Sequence, residues 1–363
     1  MTVVLRGCRY IIKSFKPLQI VENADIVIEG GAIRCIGKCY ADPHYNVLDC
    51  ENSVAIPGLV SLHTHVLSNE NGGVGNLEKV LKRVVQHGFV ALHIADVDID
   101  AIDSVCGLAK EIGVVVSVGP LIKEPKDLDK LSMIKLNESE WCKSAITVDV
   151  AGVDLETLKK LGKTFESYEP KPHIQLVMPQ DLTSILAFFK RYNTWPIIAL
   201  DDIGMLTNEI SIAHASWLTT WEIERVLSRN VCIVLTPFSD SLRGVHGLVH
   251  PSLFKLENMG IGLDNVWTRP STSIALDVIA TQVVYSNRTW GFYPDTIQLL
   301  HYASSAGARI VNLHNTIEVG SEANIAVLSI EDDLDSSITS ILIRGLLRRT
   351  RYTIVKGSIS WLQ

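Results

Sequence analysis

The chain has 363 residues, 47% hydrophobic and 20% charged, with a formal net charge of -7. That length holds one large α/β barrel or two domains, and the composition leaves no room for long disorder. The acidic balance argues against nucleic acid or an anionic membrane as the main partner, and no apolar run approaches a membrane span.

The N-terminus, MTVVLRGCRYIIKSF, lacks an apolar core long enough for a signal peptide. The cysteines (Cys8, Cys35, Cys39, Cys50, Cys106, Cys142 and Cys232) are scattered, odd in number and without a C-x-x-C pair. Neither a disulfide framework nor a Cys-type zinc site is expected from such a set, and the expected setting is a reduced, cytoplasmic one.

Residues 1–56 read as short strands. The segment 24–29 alternates, Gly30-Gly31 supplies turn residues, and 32–37 returns as a partner strand. Segments 46–49 and 53–56 add extended chain. This β unit is too thin to hold a core alone.

From Pro57 strand-like and helix-like segments alternate. An apolar strand ends in His63-Thr64-His65. Side chains two apart in a strand share a face, so His63 and His65 present two imidazoles together, half of a site for zinc or a similar metal. A helix over 75–87 follows, then a buried run at 88–95, a helix at 102–112 and a strand at 114–118. Another strand at 145–150, a helix at 155–165, a strand from His173 and a helix at 182–192 come next. The strand 209–214 ends in His214, a helix spans 221–229, and strands at 231–235 and 260–263 complete the series. About eight apolar strands alternating with helices predict a parallel sheet closed as a (β/α)8 TIM barrel. An open doubly wound sheet lacks the glycine-rich G-x-G-x-x-G turn that would support it.

A helical stretch over 294–313 leads out of the barrel. Segments 323–330, 337–343 and 351–361 read as strands that pair with the N-terminal ones, giving one composite β-sandwich built from both chain termini. The domain division is thus 1–56 and 318–363 for the sandwich and 57–317 for the barrel. The basic cluster Arg344, Arg348, Arg349 and Arg351 reads as a solvated strand face.

Several segments in order carry a family resemblance: 25–37, the Pro57-Gly58 to His65 stretch, and DDIGMLTNEISIAHASWLTTWEI at 201–223. Further on, LTPFSDSLRG at 235–244, GIGLDN at 260–265 and 306–330 add to it. With these, the chain resembles the amidohydrolase superfamily, in particular the branch of cytosine and guanine deaminases and triazine chlorohydrolases. The resemblance implies one divalent metal, zinc or iron, held by His63, His65 and Asp264. It implies that His214, at the end of strand 6, binds the metal or its water and the substrate. Asp264, at the end of strand 8, would be the general base.

The departures lie on strand 5. The related deaminases place a His there, followed three residues later by a Glu; alignment puts Gln175 and Met178 at those positions. A Gln oxygen is a weaker zinc ligand than imidazole, and Met178 has no proton to shuttle. Gln175 is nonetheless the residue placed to complete the metal shell. His173 shares its face but lies about 6.5 Å deeper in the strand, and is expected to be a buried histidine near the barrel centre. Strand 4 has no lysine, the nearest being Lys143 before it, which argues against a two-metal site bridged by a carboxylated Lys. His246 and His250, in the loop after strand 7, are expected to be structural. Trp217 and Trp267, with Phe238, are the candidates for stacking on a flat heterocycle.

The expectation is a hydrolase acting on a C–N bond of a small cyclic or heterocyclic compound, with a homo-oligomer left open. The alternative is a catalytically disabled relative that binds a ligand or partner.

Overall fold

The computed structural model describes residues 2–40, 42–66, 74–133, 139–169, 171–244, 249–288, 292–330 and 337–363. The backbone is dominated by two sheets. The larger is parallel and begins with strand 1, Leu59–His65. Strands 2 to 4 are Phe89–Ile94, Val115–Val118 and Cys142–Asp149. Strands 5 to 7 are His173–Val177, Ile210–Ala213 and Cys232–Leu235. Strand 8, Met259–Ile261, pairs with strand 7, and two residues later Asp264–Asn265 pairs with strand 1. The sheet therefore curls back on itself in the manner of a TIM barrel. Every residue of strands 2, 3, 6 and 7 is buried, as expected where both sheet faces are covered.

The helices between the strands have local stop and start signals. Asp154 and Asp181 accept the backbone N–H groups of Thr157 and Ser184 at two helix starts. Thr219 and Glu222 form a reciprocal cap ahead of Thr220–Arg229, and Asn230 ends that helix in the left-handed conformation.

The barrel axis is filled by polar side chains. Ser61, His63, His93, Ser117, Thr147, Gln175 and Ser211 are all essentially inaccessible. Buried polar groups need partners, and these have them. The two ring nitrogens of His93 lie 3.4 Å from Ser117 Oγ and 3.2 Å from Thr147 Oγ1, and His173 Nε2 lies 2.9 Å from Ser211 Oγ.

The second sheet joins both chain ends. Its order runs Ser358–Leu362, Tyr352–Val355, Ile325–Ser329, Ser53–Pro57, Thr2–Phe15, Leu18–Glu29, Ala32–Gly37, with Asn46–Asp49 also on Thr2–Phe15. A core of its own, including Leu5, Ile11, Ile26, Ile28, Ile325 and Ile354, lies against it.

Two expectations are corrected here. Residues 337–343 are not a strand but open the helix Ile338–Leu346. Ser337 caps it by accepting Ser340 N–H, and Ile341, Leu342, Gly345 and Leu346 are its buried residues, a spacing of helical period. Arg344 consequently sits in the last turn of a helix and not on a strand face. The cysteines also pair: Cys8–Cys50, Cys35–Cys39 and Cys106–Cys142 form disulfides, leaving Cys232 as the free thiol. The partners lie up to 42 residues apart, and sequence spacing does not reveal which strands and helices bring them together. Disulfides are rare where glutathione keeps thiols reduced, so they weigh against the reduced compartment expected. Among the described residues no helix is long and apolar enough to cross a membrane.

The chain leaving strand 8 can approach strand 1 because residue 262 is glycine. A Cβ on Gly262 would stand 2.7 Å from His63 Cβ and 2.8 Å from His63 O. Gly262→Ala is expected to lower stability by about 1–3 kcal/mol through overpacking, read as a lower urea midpoint. An unchanged midpoint would show that this contact does not set the strand spacing.

Candidate active site

His63 and His65 end strand 1, His214 follows strand 6, and Asp264 opens the short segment paired with strand 1. All four stand at the C-terminal ends of the barrel strands, where side chains from several strands share one mouth. His214 and Asp264 both have positive φ, 59° and 57°. The left-handed region is unfavourable for residues with a Cβ, and such strain concentrates at functional sites. Here it turns each side chain inward just past its strand.

The inward atoms converge. His63 Nε2 is 3.1 Å from His65 Nε2 and 3.3 Å from His214 Nε2. Asp264 Oδ1 is 3.6 Å from His65 Nε2 and 3.9 Å from His63 Nε2. His63, His214 and Asp264 form a set whose ligand atoms all lie within 4.8 Å of one another. Ligands bonded at ~2 Å around a tetrahedral ion stand about 3.3 Å apart. Two imidazole nitrogens and one carboxylate oxygen at these separations fit a single divalent metal, and His65 Nε2 stands beside them, next to His63 and Asp264.

Each imidazole is oriented from behind. His65 Nδ1 lies 3.1 Å from Asp96 Oδ2. His214 Nδ1 lies 3.0 Å from Asp240 Oδ1, and Thr236 donates to Asp240 Oδ2 at 2.8 Å. His63 Nδ1 lies 2.5 Å from Gln175 Oε1. Gln175 donates its own N–H groups to Leu62 O and to Ser211 Oγ, at 2.6 and 3.2 Å. Its oxygen is therefore the atom left to accept from His63. Acceptors behind all three rings place the ring proton on Nδ1 and leave Nε2 free to bind, the arrangement that fixes metal-binding histidines elsewhere.

This geometry corrects the role expected for Gln175. Its oxygen points at the rear nitrogen of His63 and not into the space between the Nε2 atoms, so it is placed to orient that ring and not to complete a metal shell. His173 was expected to be buried near the barrel centre; it opens strand 5 two residues below Gln175 and is half-buried, at the end of the barrel away from the mouth. It stacks edge-on against His93 at 5.4 Å, and burial pushes its pKa down to about 4. Met178 is buried behind strand 5 and brings no ionisable group. Trp217 donates to Gln180 O at 3.3 Å, and Trp267, 42% exposed, donates to Val66 O at 3.0 Å beside His65. The Arg269 guanidinium covers the Phe238 ring at 4.9 Å, so that face is already taken. His250 caps the short 3-10 helix Pro251–Lys255 by accepting Ser252 N–H. His246 lies outside the described residues.

Burial, together with the charges of His65 and His214, holds the His63 pKa well below its ordinary value, so this ring is neutral and able to bind. Burial opposes charge on His65 too, but the hydrogen bond and charge of Asp96, with Asp264, outweigh it and raise its pKa. Asp264 resists ionisation through burial, yet His63, His214, Arg243 and His65 together lower its pKa. Arg243 ion-pairs with Asp264 Oδ2, leaving Oδ1 to face the histidines. Asp96, Thr236, Asp240 and Arg243 were not singled out from sequence. Asp240 and Arg243 sat inside the LTPFSDSLRG segment, but nothing in that segment shows which side chain faces His214.

No family model matches the chain. A 5'-deoxyadenosine deaminase of Methanothrix thermoacetophila is 22% identical, over 94% of this chain and 90% of that protein. These similarities support the amidohydrolase superfamily, in its deaminase and chlorohydrolase branch, that the quoted segments resemble. The fold agrees. An atrazine chlorohydrolase from Arthrobacter aurescens, solved with zinc, superposes with a TM-score of 0.85 at 15% identity over 98% of this chain and 94% of that one. A guanine deaminase from C. acetobutylicum, solved with guanine in its active site, gives 0.82 at 18% identity over 99% and 100%. This chain has the histidines and the aspartate of the quoted segments, with Gln175 on strand 5 and Met178 just after it.

Removing a support should loosen the metal without touching a ligand. Asp96→Ala, at a half-buried position, is expected to weaken zinc affinity about 10–100-fold, measured by competition with a chromogenic chelator. Unchanged affinity would mean that His65 is not oriented by Asp96.

Proposed function

We propose that the protein is a metal-dependent hydrolase that removes an amino group, or breaks another C–N bond, on a small nitrogen heterocycle. The observation that carries this reading is the cluster of His63, His214 and Asp264 with His65 Nε2 beside it, each ring backed by an acceptor on Nδ1. Its relatives add the substrate class, since proteins named for deaminating 5'-deoxyadenosine and methylthioadenosine align along nearly the whole chain. In the same reading the curled sheet is a closed (β/α)8 barrel over 57–317. Residues 1–56 and 318–363 form a separate β unit, with the composite sandwich as its two-layered form.

His63, His65, His214 and Asp264 would hold one divalent ion, zinc or iron. Such an ion supplies Lewis acidity and lowers the pKa of a bound water toward neutrality. The rest of the work falls to the chain. Asp264 stays ionised at neutral pH because its surroundings lower its pKa, so it is ready to accept the proton of the attacking water. It then passes that proton to the leaving nitrogen, because Met178 occupies the position where a second carboxylate would do so. Arg243, bonded to the other carboxylate oxygen, keeps Oδ1 directed at the reacting water. His214 cannot turn away from the centre while Asp240 and Thr236 bond its rear nitrogen. Trp217 and Trp267, tied at the ends of strands 5 and 1, border the mouth where a flat ring would stack.

A second reading, a ligand-binding member without turnover, rests on the same Met178 and on the ion pair that Arg243 makes with Asp264. Ammonia release from deoxyadenosine, methylthioadenosine, guanine and aminotriazines separates the two. Zinc-loaded protein is expected to carry close to one equivalent of metal and to turn over at least one of these. His63→Ala should lose the metal and slow turnover on the order of 10³-fold. Full metal loading with no turnover across the panel would decide for the second reading; failure to load would end the first at its root.

A further inference from the structure

The opposite end of the barrel carries a cavity of about 990 Å³ that the metal centre does not use. It opens where strands 4, 5 and 6 begin, so its walls include Ser144, His173 and Ile210. The helix Leu155–Glu166 and the segment 309–312 close its sides. Its size falls within the range of small-molecule sites, which combine an apolar lining with a few placed polar groups.

The charge of this lining runs against the rest of the chain. Lys143, Lys159, Lys163, Lys171 and Arg309 border it, against only Glu166 and Glu209. Lys171 lies 3.6 Å from Glu209, which accounts for one acid. The whole chain carries 40 acidic against 33 basic residues, so a basic excess in one concave surface is not inherited from composition. Between the charges lies apolar surface from Phe165, Ile174, Met205 and Val311. A low-dielectric wall beside same-sign charges focuses the field and raises the local concentration of an opposite charge.

We propose that this underside cavity is a second binding site, separate from the metal centre, for a small organic anion with an apolar or aromatic body. The body would lie on Phe165, Ile174 and Met205, and its phosphate, sulfonate or carboxylate would face Lys159, Lys163 and Arg309. The polar barrel axis ends at this cavity: His173 borders it and bonds Ser211, which accepts from Gln175, which supports His63. The site stands on its own geometry and goes beyond the catalytic reading, so it survives or fails without it.

The test uses the full chain and an aromatic sulfonate, 8-anilinonaphthalene-1-sulfonate, followed by fluorescence at low and high salt. One saturable equivalent is expected, weakened by salt because the contact is a partly exposed charge pair. Charge reversal in Lys159→Glu, Lys163→Glu and Arg309→Glu should each weaken it about tenfold or more, a change of roughly 1.4 kcal/mol. These residues are exposed, so folding is expected to hold and is checked by circular dichroism. Lys79→Glu, an equal charge change elsewhere, and Trp267→Ala, at the opposite mouth, should leave binding unchanged. No saturable binding would overturn the proposal. So would binding indifferent to the three underside reversals, or binding lost equally in Lys79→Glu or Trp267→Ala.

Discussion

An imidazole has two nitrogens, and only the one not already committed can meet a metal. Here the commitment is made three times in the same sense. Asp96, Gln175 and Asp240 take the rear nitrogens of His65, His63 and His214, and the front nitrogens of His65 and His214 lie 3.1 and 3.3 Å from that of His63, beside Asp264. Desolvation keeps His63 neutral in its buried place. A single accepting atom behind each ring thus decides tautomer, orientation and charge together.

The backbone is shaped to serve this. Two site residues accept the cost of positive φ just beyond their strands, and glycine at 262 lets the chain leaving strand 8 come close enough to His63 for Asp264 to reach the cluster. Gln175 shows how this chain still orients His63 while lacking the strand 5 histidine of the related deaminases. An amide can donate to Leu62 and Ser211 and still accept from His63. A histidine at this position would bring a ring nitrogen, whereas the amide brings a wedge beneath an existing ligand. The mechanism we propose leans on one carboxylate, Asp264, held in place by Arg243.

Much of this was legible in the sequence because period-2 alternation is a local property. The strand carrying His63 and His65, the alternation of strands with helices, and the depth of His173 all follow from it. Several features were not legible. Whether Gln175 faces a metal or a neighbouring ring depends on a rotamer and on Ser211, 36 residues away. Asp96 and Asp240 act on histidines 31 and 26 residues from them, and no short motif records that pairing. The run 337–343 is rich in β-branched residues, which suggested a strand, yet the cap at Ser337 and the packing of Ile341 and Leu342 made it a helix. Cysteine spacing likewise gave no sign of contacts created by sheet pairing and helix packing.

In the proposed centre the ligands are three imidazoles and one carboxylate, with Gln175 outside the shell. X-ray absorption at the zinc edge of the loaded protein, compared with its Gln175→Leu variant, tests it most directly. Three nitrogen and at least one oxygen scatterers are expected at about 2.0–2.2 Å, with imidazole multiple scattering from three rings, unchanged in number when Gln175 is replaced. A shell with fewer than three imidazoles, or one that loses a light-atom ligand in the Gln175→Leu protein, would contradict it.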